Sequence, residues 1–419
     1  MSTSLERIAE KAKRVKKHRF QNLSGMLDRW FLWNQWKELN KNAAVGVDKV
    51  TYTKYGDNLM ANIDDLIKRL KRKSYRAKLV RRHYVPKGNG KVRPLGIPSI
   101  EDKLVQKAVT RILGAIYEQD FLSSSYGYRP NRSAQMAVDC LRTALDTGRY
   151  HYVVEADIKG YFDNLDHEWM VKMLLQRVHD KAFIRLIEKW LKVGVLEIDG
   201  KIIHPATGSP QGGIISPMLA NIYMHYVLNL WFEHIVKKRC KGKAELFVYA
   251  DDFVCLFERA DEARAFYIAL EKRMAKFNLK LAAEKTRIVC FRKDQNQMFE
   301  FLGFEFRWMK GRRRKIRIRT AKKKFQKSCQ SFKEWCKKQR STKLSLLVKK
   351  LNSKLRGYYE YYGVYGNFES LARYKRYVEL AFHRWLNRRS QRRSYSWQGF
   401  LDMLRRYPLL NPKVKKLSN

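Results

Sequence analysis

No stretch of this 419-residue sequence approaches the ~18 consecutive apolar residues that a membrane-spanning helix requires, so a membrane protein is not expected. The first residues, MSTSLERIAEKAKRVKKHRF, are charged where a secretory leader would be apolar, and a cytosolic protein is expected. The six cysteines (Cys140, Cys240, Cys255, Cys290, Cys329, Cys336) form no CxxC pair, which points to reduced, mostly buried thiols rather than to disulfides or a zinc site. Acidic residues are scarce: 40 Asp+Glu face 88 Lys+Arg, a formal net charge of +48. Such a charge calls for a polyanionic partner, and nucleic acid is the expected one. What is plentiful is core material, 45% hydrophobic and 13% aromatic residues, which excludes a disordered basic tail. The length suggests two to four domains. From Glu300 to Asn419 there are 34 basic and 7 acidic residues, so more than half of the net charge lies in the last 120 positions.

Residues 1 to about 80 read as helices, with apolar residues at helical spacing in LDRWFLWNQWKELNKN and again in NIDDLIKRLKRKSY. YVPKGNGKVRPLGIPS reads as two extended segments around Gly88-Asn89-Gly90, a hairpin. EDKLVQKAVTRILGAIYEQDF and AQMAVDCLRTALDTG are amphipathic helices separated by SSSYGYRPNRS. YHYVVEADIKGYFDNLD begins as a strand with Val153, Glu155 and Asp157 on one face, then leads into the helix DHEWMVKMLLQRV. Residues 247–257 read as two apolar runs joined by two carboxylates, a hairpin. After the helix DEARAFYIALEKRMAKF, the segments LKLAAEKTRIVCF and FEFLGFEFRW suggest two further strands. From about Met309 onward the pattern is helical and basic, with aromatic clusters in RGYYEYYGVYG and SYSWQGF. There is no internal repeat and no long low-complexity linker.

The informative break in local rules is Tyr249-Ala250-Asp251-Asp252. A tight hairpin favours Asn-Gly or Asp-Gly, whereas adjacent carboxylates repel one another. Such a break tends to mark function. Asp157 is a second acidic strand end. If its strand neighbours that of Asp251, the carboxylates converge, and hard oxygen ligands suit Mg²⁺. A pair of such ions roughly 3.5–4 Å apart clamps the attacking and leaving oxygens of a phosphoryl transfer.

Ordered motifs surround this segment: GVD at 46–48, PKGNGKVRPLGIP at 86–98, SYGYRPNRSAQMAV at 125–138 and ADIKGYFDNLDH at 156–167. GSPQGGIISPMLANIY at 208–223, YADD at 249–252, LAAEKT at 281–286 and FLGF at 301–304 follow. In this order, and continuing through RGYYEYYG and SYSWQGF, they resemble the group II intron-encoded reverse transcriptase/maturase family over nearly the whole chain. The resemblance implies an α+β right-hand polymerase with fingers and palm over 81–308. An N-terminal RNA-binding helical extension would occupy 1–80, and a basic α-helical thumb and maturase region 309–419.

The resemblance also implies roles. Asp157 and Asp251 would bind two Mg²⁺, with Mn²⁺ able to substitute, and Asp252 would support the pair. Phe162 would lie under the incoming sugar and exclude a 2′-hydroxyl. Lys87 and Arg93 would neutralise the triphosphate from the fingers hairpin. Gln211 would lie along the nucleotide ribose, in a block that begins with Ser209 where the family more often has Thr. Lys285 would stand near the triphosphate as a candidate acid toward pyrophosphate. Gly303, in the primer-grip segment, would allow close backbone approach, and Arg129 and Asn131 would help seat the template. Arg388, Arg389, Arg392 and Arg393 are expected to contact the phosphates of intron RNA. The implied partners are group II intron RNA, an RNA template with DNA primer, target DNA and dNTPs, in a nucleoid-associated bacterial ribonucleoprotein with no obligate protein partner.

Neither an HNH nuclease, for which a Cys/His cluster is wanting, nor an RNase H acidic set is expected. Two alternatives compete: a maturase whose polymerase site is vestigial, and a reverse transcriptase of another bacterial lineage, retron or defence-associated. Retron enzymes usually carry a VTG block in the thumb and diversity-generating enzymes an SQ-type loop, and neither is present. A viral RNA-dependent RNA polymerase normally has two aspartates separated by four residues in its first metal motif and GDD in its second; here Asp157 and Asp163 are separated by five, and the second motif is YADD.

Overall fold

The computed structural model describes residues 2–88, 91–204, 206–208, 212–309, 315–339, 341–389 and 394–415. Its strands are β1 (Val80–Gly88), β2 (Lys91–Ile97), β3 (Tyr152–Asp157), β4 (Val195–Leu196), β5 (Ile202–Ile203) and β6 (Ala244–Tyr249). They continue with β7 (Asp252–Phe257), β8 (Arg287–Cys290), β9 (Met298–Phe301), β10 (Phe304–Trp308) and β11 (Ile316–Thr320). The fold is mixed α+β, and the chain divides into two compact units. Among the described residues no helix is long and apolar enough to cross a membrane.

The first unit comprises Met1–Arg129, Asp157–Arg239 and Ile268–Ala282. Its sheet has the order β2-β1-β4-β5, with the expected β1–β2 hairpin antiparallel and irregular between Pro86 and Gly88. The helix Ile100–Tyr117 starts where Ser99 can cap it: the Ser99 hydroxyl accepts from the Asp102 amide at 3.1 Å, and Glu101 and Asp102 fill the first turn, where the helix dipole favours acid. Leu104, Val105, Ala108, Val109, Ile112, Leu113 and Ile116 are completely buried, which makes this helix a core element. The buried Asp102 carboxylate also accepts from Ser99 Oγ at 2.7 Å, from the Lys78 amide at 3.2 Å and from the Tyr75 hydroxyl, which itself accepts from Trp190 Nε1 at 3.1 Å. Asp102, with Tyr75, therefore fixes where three segments meet. The GVD block packs on the same helix start. A Cβ on Gly46 would lie 2.6 Å from Ser99 Cα, so no larger residue fits there.

The second unit comprises Pro130–Ala156, Cys240–Tyr267 and Ala283–Asn419. It holds one sheet of order β6-β7-β3-β8 and another of order β11-β10-β9. The segment FEFLGFEFRW, expected as one strand, is a hairpin of two, and β11 interrupts a region expected to be helical throughout. The physical reason is period-two alternation: Ile316, Ile318 and Thr320 are buried while Arg317 and Arg319 are not. The rest of that region is helical as expected, in Lys322–Lys338, Leu344–Tyr362, Phe368–Leu386 and Trp397–Arg406, around a core that includes Phe332, Leu351, Leu355, Leu371, Val378, Phe382 and Phe400.

Asn367 joins these helices to β11. Completely buried, it accepts from the Thr320 amide at 2.8 Å and donates to Thr320 Oγ1 at 3.0 Å and to the Tyr362 carbonyl at 2.8 Å. Asn367→Ala would strip partners from buried groups and should cost about 1–3 kcal/mol of stability per group left unsatisfied. Urea unfolding of the variant checks this, and a midpoint equal to wild type would mean that the staple contributes nothing.

Candidate active site

The acidic turn is built by β6 and β7. Tyr249 pairs with Asp252 across the hairpin, so the two loop residues are Ala250 and Asp251, and Asp252 is already the first residue of β7. This moves the loop one residue from the expected Asp-Asp tip. Ala250 is buried and left-handed, with φ 58°, a conformation that costs an L-residue roughly 1–2 kcal/mol and that glycine would adopt freely. Strain of this kind persists where the surrounding structure over-determines it. Here the surroundings are the buried run Phe253–Phe257 and its partners Leu246, Phe247 and Val248.

β3 lies beside β7 in the same sheet. The His151 amide donates to the Phe257 carbonyl at 2.9 Å, setting the start of β3 against the end of β7, so the strands run antiparallel. On its other side β3 pairs with β8, and Glu155 stands opposite Arg287. Glu155 is buried, accepts from Arg287 Nε and accepts from the Glu300 amide at 2.6 Å. Burial pushes its carboxyl above the usual range, against the lowering effect of Arg287 and the Glu300 amide. Glu155 thus clamps β3, β8 and β9. Sequence reasoning read it only as a member of one strand face, because its partners lie 132 and 145 positions away.

Asp157 ends β3, where the chain enters the first unit. Its carbonyl accepts from the Ala282 amide at 2.8 Å, and the Lys159 amide donates to the Lys280 carbonyl at 2.8 Å. Gly160 is left-handed at φ 59°, and Asn164 donates to the Lys159 and Gly160 carbonyls, each at 3.0 Å, closing a tight turn. Phe162 follows, partly buried, edge-on to Tyr128 at 6.3 Å and to Tyr161 at 5.6 Å, while the Tyr161 hydroxyl donates to the Ala220 carbonyl at 2.6 Å. Thr207 Oγ1 donates to the Asp163 carbonyl at 3.1 Å, and the Gly208 amide donates to the Leu165 carbonyl at 2.7 Å. A Cβ on Gly208 would lie 2.7 Å from the Asp163 oxygen, and one on Gly212 2.6 Å from the Gly96 oxygen. Both glycines have positive φ, 95° and 113°. Gly208 therefore lies directly on the Phe162 turn, and Gly212 on β2.

The remaining expected residues fall as follows. Arg93 is exposed on β2 opposite Val85, and Lys87 belongs to the facing strand β1. Gln211, with Ser209 and Pro210, lies outside the described residues, as do Arg392 and Arg393. Lys285 is exposed just before β8. Asn131 is exposed and left-handed at φ 58°. Arg129 differs from expectation: its side chain is only 7% exposed, pairs with Glu118 at 3.0 Å and donates to the Leu122 and Ser125 carbonyls at 2.8 and 2.9 Å. Its guanidinium holds the 122–129 turn together, so any part in seating a template is indirect. Gly303 is left-handed at φ 80° after Leu302 at 52°, the pair forming the β9–β10 turn. Its first requirement is thus conformational, although a Cβ would also meet Lys324 and the Tyr362 hydroxyl at 3.5 Å. Arg388 is exposed and lies over the Trp385 ring at 5.2 Å, whereas Arg389 is partly buried and donates to the Thr342 carbonyl at 2.8 Å.

One contributor was not anticipated. Tyr361, in RGYYEYYG, donates to the Leu302 carbonyl at 3.0 Å and stacks on Phe304. Burial, then Tyr362, Tyr249 and Asp252, push its hydroxyl up to about 12, so it stands within electrostatic reach of the acidic turn. The aromatic cluster was visible in the sequence, but its neighbour 59 positions away was not.

Comparison with known proteins matches residues 85–306 to the family "Reverse transcriptase (RNA-dependent DNA polymerase)" and residues 322–401 to "Group II intron, maturase-specific domain". Protein YkfC of Escherichia coli K12 is 37% identical over 202 residues, 48% of this chain and 52% of that protein. Group II intron-encoded protein LtrA of Lactococcus lactis subsp. cremoris is 44% identical over 164 residues, 39% of this chain and 27% of that protein. The putative COX1/OXI3 intron 1 protein of Saccharomyces cerevisiae is 35% identical over 171 residues, 41% of this chain and 20% of that protein. The chain thus spans about half the length of the first of these relatives and less of the other two. Since the first domain match alone covers more than half of the chain and the second follows it in order, the chain belongs to the group II intron reverse transcriptase/maturase family.

Proposed function

We propose that the chain is an RNA-directed DNA polymerase encoded by a group II intron, and that it grips its intron RNA to assist splicing and retrohoming. Residues 81–308 would form fingers and palm of a right-hand polymerase, 1–80 an RNA-binding extension, and 309–419 the thumb and maturase region. The observation that carries the reading is strand order and direction. β3 and β7 are antiparallel neighbours, with the start of β3 against the end of β7, so the end of β3 that carries Asp157 and the start of β7 at Asp252, just after Asp251, lie at the same edge of the sheet.

Three hard carboxylate donors suit Mg²⁺. Among the described residues, however, no group of three or more His, Cys, Asp or Glu side chains is gathered closely enough to hold an ion, so the assignment rests on donor chemistry and strand order. Bound there, two ions would supply the charge that neutralises a transferring phosphoryl group. The chain's own residues do the rest. Phe162, held from the Tyr161 side and by the Asn164-closed turn, limits space beside the sugar. Arg93 and Lys87, on facing strands of a hairpin, offer cations to the triphosphate, and Gln211 and Lys285 complete the nucleotide contacts. Cations of the C-terminal region, Arg388, Arg392 and Arg393 among them, contact RNA phosphates, while Arg389 ties the end of its helix to the Thr342 carbonyl.

Asp251→Asn should abolish primer extension on an RNA template and leave RNA affinity nearly unchanged; residual extension within about tenfold of wild type (~1.4 kcal/mol) would remove Asp251 from the metal set. Phe162→Val should admit ribonucleotides, read as a fall in the dNTP-to-rNTP incorporation ratio at comparable activity. An unchanged ratio would place the gate elsewhere. Neutralising Arg388, Arg392 and Arg393 together removes up to three phosphate contacts, so intron-RNA affinity should fall and its salt dependence become shallower, by roughly two units of log–log slope. Extension on a short primer–template should survive better, and equal losses in both assays would end the case for a separate intron-binding role.

A further inference from the structure

The helix Phe368–Leu386 carries two apolar faces. One, made by Leu371, Tyr374, Val378, Phe382 and Trp385, is buried in the helical core of the second unit. The other runs at four-residue spacing through Phe368, Ala372, Arg376 and Leu380, and ends beside Trp397 of the last helix. Phe368 is 55% exposed, Leu380 52% and Trp397 43%. With Pro412, these residues line a groove of about 520 Å³. Its edge is fixed: Lys375 donates to Asn411 Oδ1 at 2.6 Å and pairs with Glu379 at 3.4 Å. Trp397 follows the helix cap Ser396, which accepts from the Gly399 amide at 3.1 Å, and is braced by His383 at 5.2 Å and Phe400 at 5.4 Å.

Charge selects the occupant. The surrounding 120 residues carry 34 basic and 7 acidic side chains, so the occupant is anionic, and it must also offer flat apolar bodies to two separate aromatic rings. Unpaired nucleotides meet both requirements, whereas a paired base keeps its faces stacked within the duplex. Phe368 and His383, which braces Trp397, are fifteen residues and so about 22 Å apart along the helix, the span of a short strand rather than of one base. We propose that this groove holds a short unpaired RNA strand, one base against the Trp397 ring, another against the Phe368 ring, and a phosphate between them on Arg376. The proposal rests on the RNA-gripping reading above and adds to it a site that selects single-stranded over duplex RNA.

The test uses the full chain and two fluorescently labelled RNAs of equal length, one a single strand without internal pairing and the other a duplex. Phe368→Ser/Trp397→Ala should weaken single-strand binding by about tenfold or more with an unchanged salt slope, because stacking releases no counterions. Arg376→Gln should weaken it with a shallower slope, by about 0.7. Duplex binding should hold in the double variant. Circular dichroism of each variant checks folding, and Phe368→Ser/Leu380→Ser, confined to exposed positions, replaces the first variant if Trp397→Ala unfolds. Undiminished single-strand affinity, or an equal loss on the duplex, would overturn the proposal. So would sedimentation showing a wild-type dimer that the double variant abolishes, since a second copy would then be the occupant. If wild type binds no RNA of either kind, the RNA-gripping reading itself fails, an outcome distinct from a variant that loses only the single strand.

Discussion

Like-charge repulsion is the constraint under which this fold is built. With 88 basic and 40 acidic residues, each carboxylate is a rare means of joining cationic segments, and the structure places several buried or half-buried ones at junctions. Asp102 gathers Tyr75, Lys78 and Ser99. Asp180 caps the helix that follows it through the Ala182 and Phe183 amides and also holds Ser24 by its amide and hydroxyl. Glu155 takes Arg287 and the Glu300 amide, and Glu101 takes both terminal nitrogens of Arg69. Each joins segments far apart in sequence, so each contributes to tertiary order rather than to a local helix. Breaking one would leave a buried polar group or charge without its partner, which costs more than the pair's net worth.

Asp251 and Asp252 differ in kind from these junctions. Consecutive carboxylates in a two-residue hairpin repel each other, and they stand after an alanine forced into a left-handed backbone. A turn selected for stability alone would put glycine or asparagine at Ala250 and drop at least one acid. The largely buried flanking strands supply the free energy that holds the strained geometry, which is how a local sequence can contradict its own turn preference and still fold one way.

That contradiction is why the acidic turn was legible in the sequence, and the same logic explains what was not. Amphipathic helices, the β1–β2 hairpin and the β6–β7 hairpin follow from periodicity, which is local. The one-residue offset of the loop onto Ala250 depends on the register of Tyr249 with Asp252, which composition does not encode. β11 carries the period-two signature in IRIRT, but its arginines blend into a basic helical background. Arg129 could be seen as a cation near a turn; that it faces inward to Glu118 requires the folded turn. Gly208 and Gly212 could be seen as glycines in a motif, but the reason for them is the Asp163 and Gly96 oxygens that a side chain would strike. Long-range closeness is the common missing term.

Charge and shape carry separate tasks in such a protein. Phosphate contacts from dozens of cations give affinity that is nearly blind to sequence and collapses with added salt. Discrimination has to come from elements that charge cannot supply: the Phe162 ring, proposed to lie beside the sugar, backbone fitted closely enough that only glycine is tolerated at Gly208 and Gly212, and aromatic surface left uncovered on a helix whose opposite face is fully packed. Each of these is held by neutral packing or by hydrogen bonds within one compact unit: Tyr161 to Ala220, Thr207 to Asp163, Asn367 to Thr320. Such contacts are insensitive to counterions, so the selective elements keep their geometry at any salt concentration the cationic surface encounters. On the proposed function, a polymerase that holds one RNA tightly and copies another would need that independence, because salt or a bound polyanion that altered the grip would otherwise alter the choice of nucleotide as well.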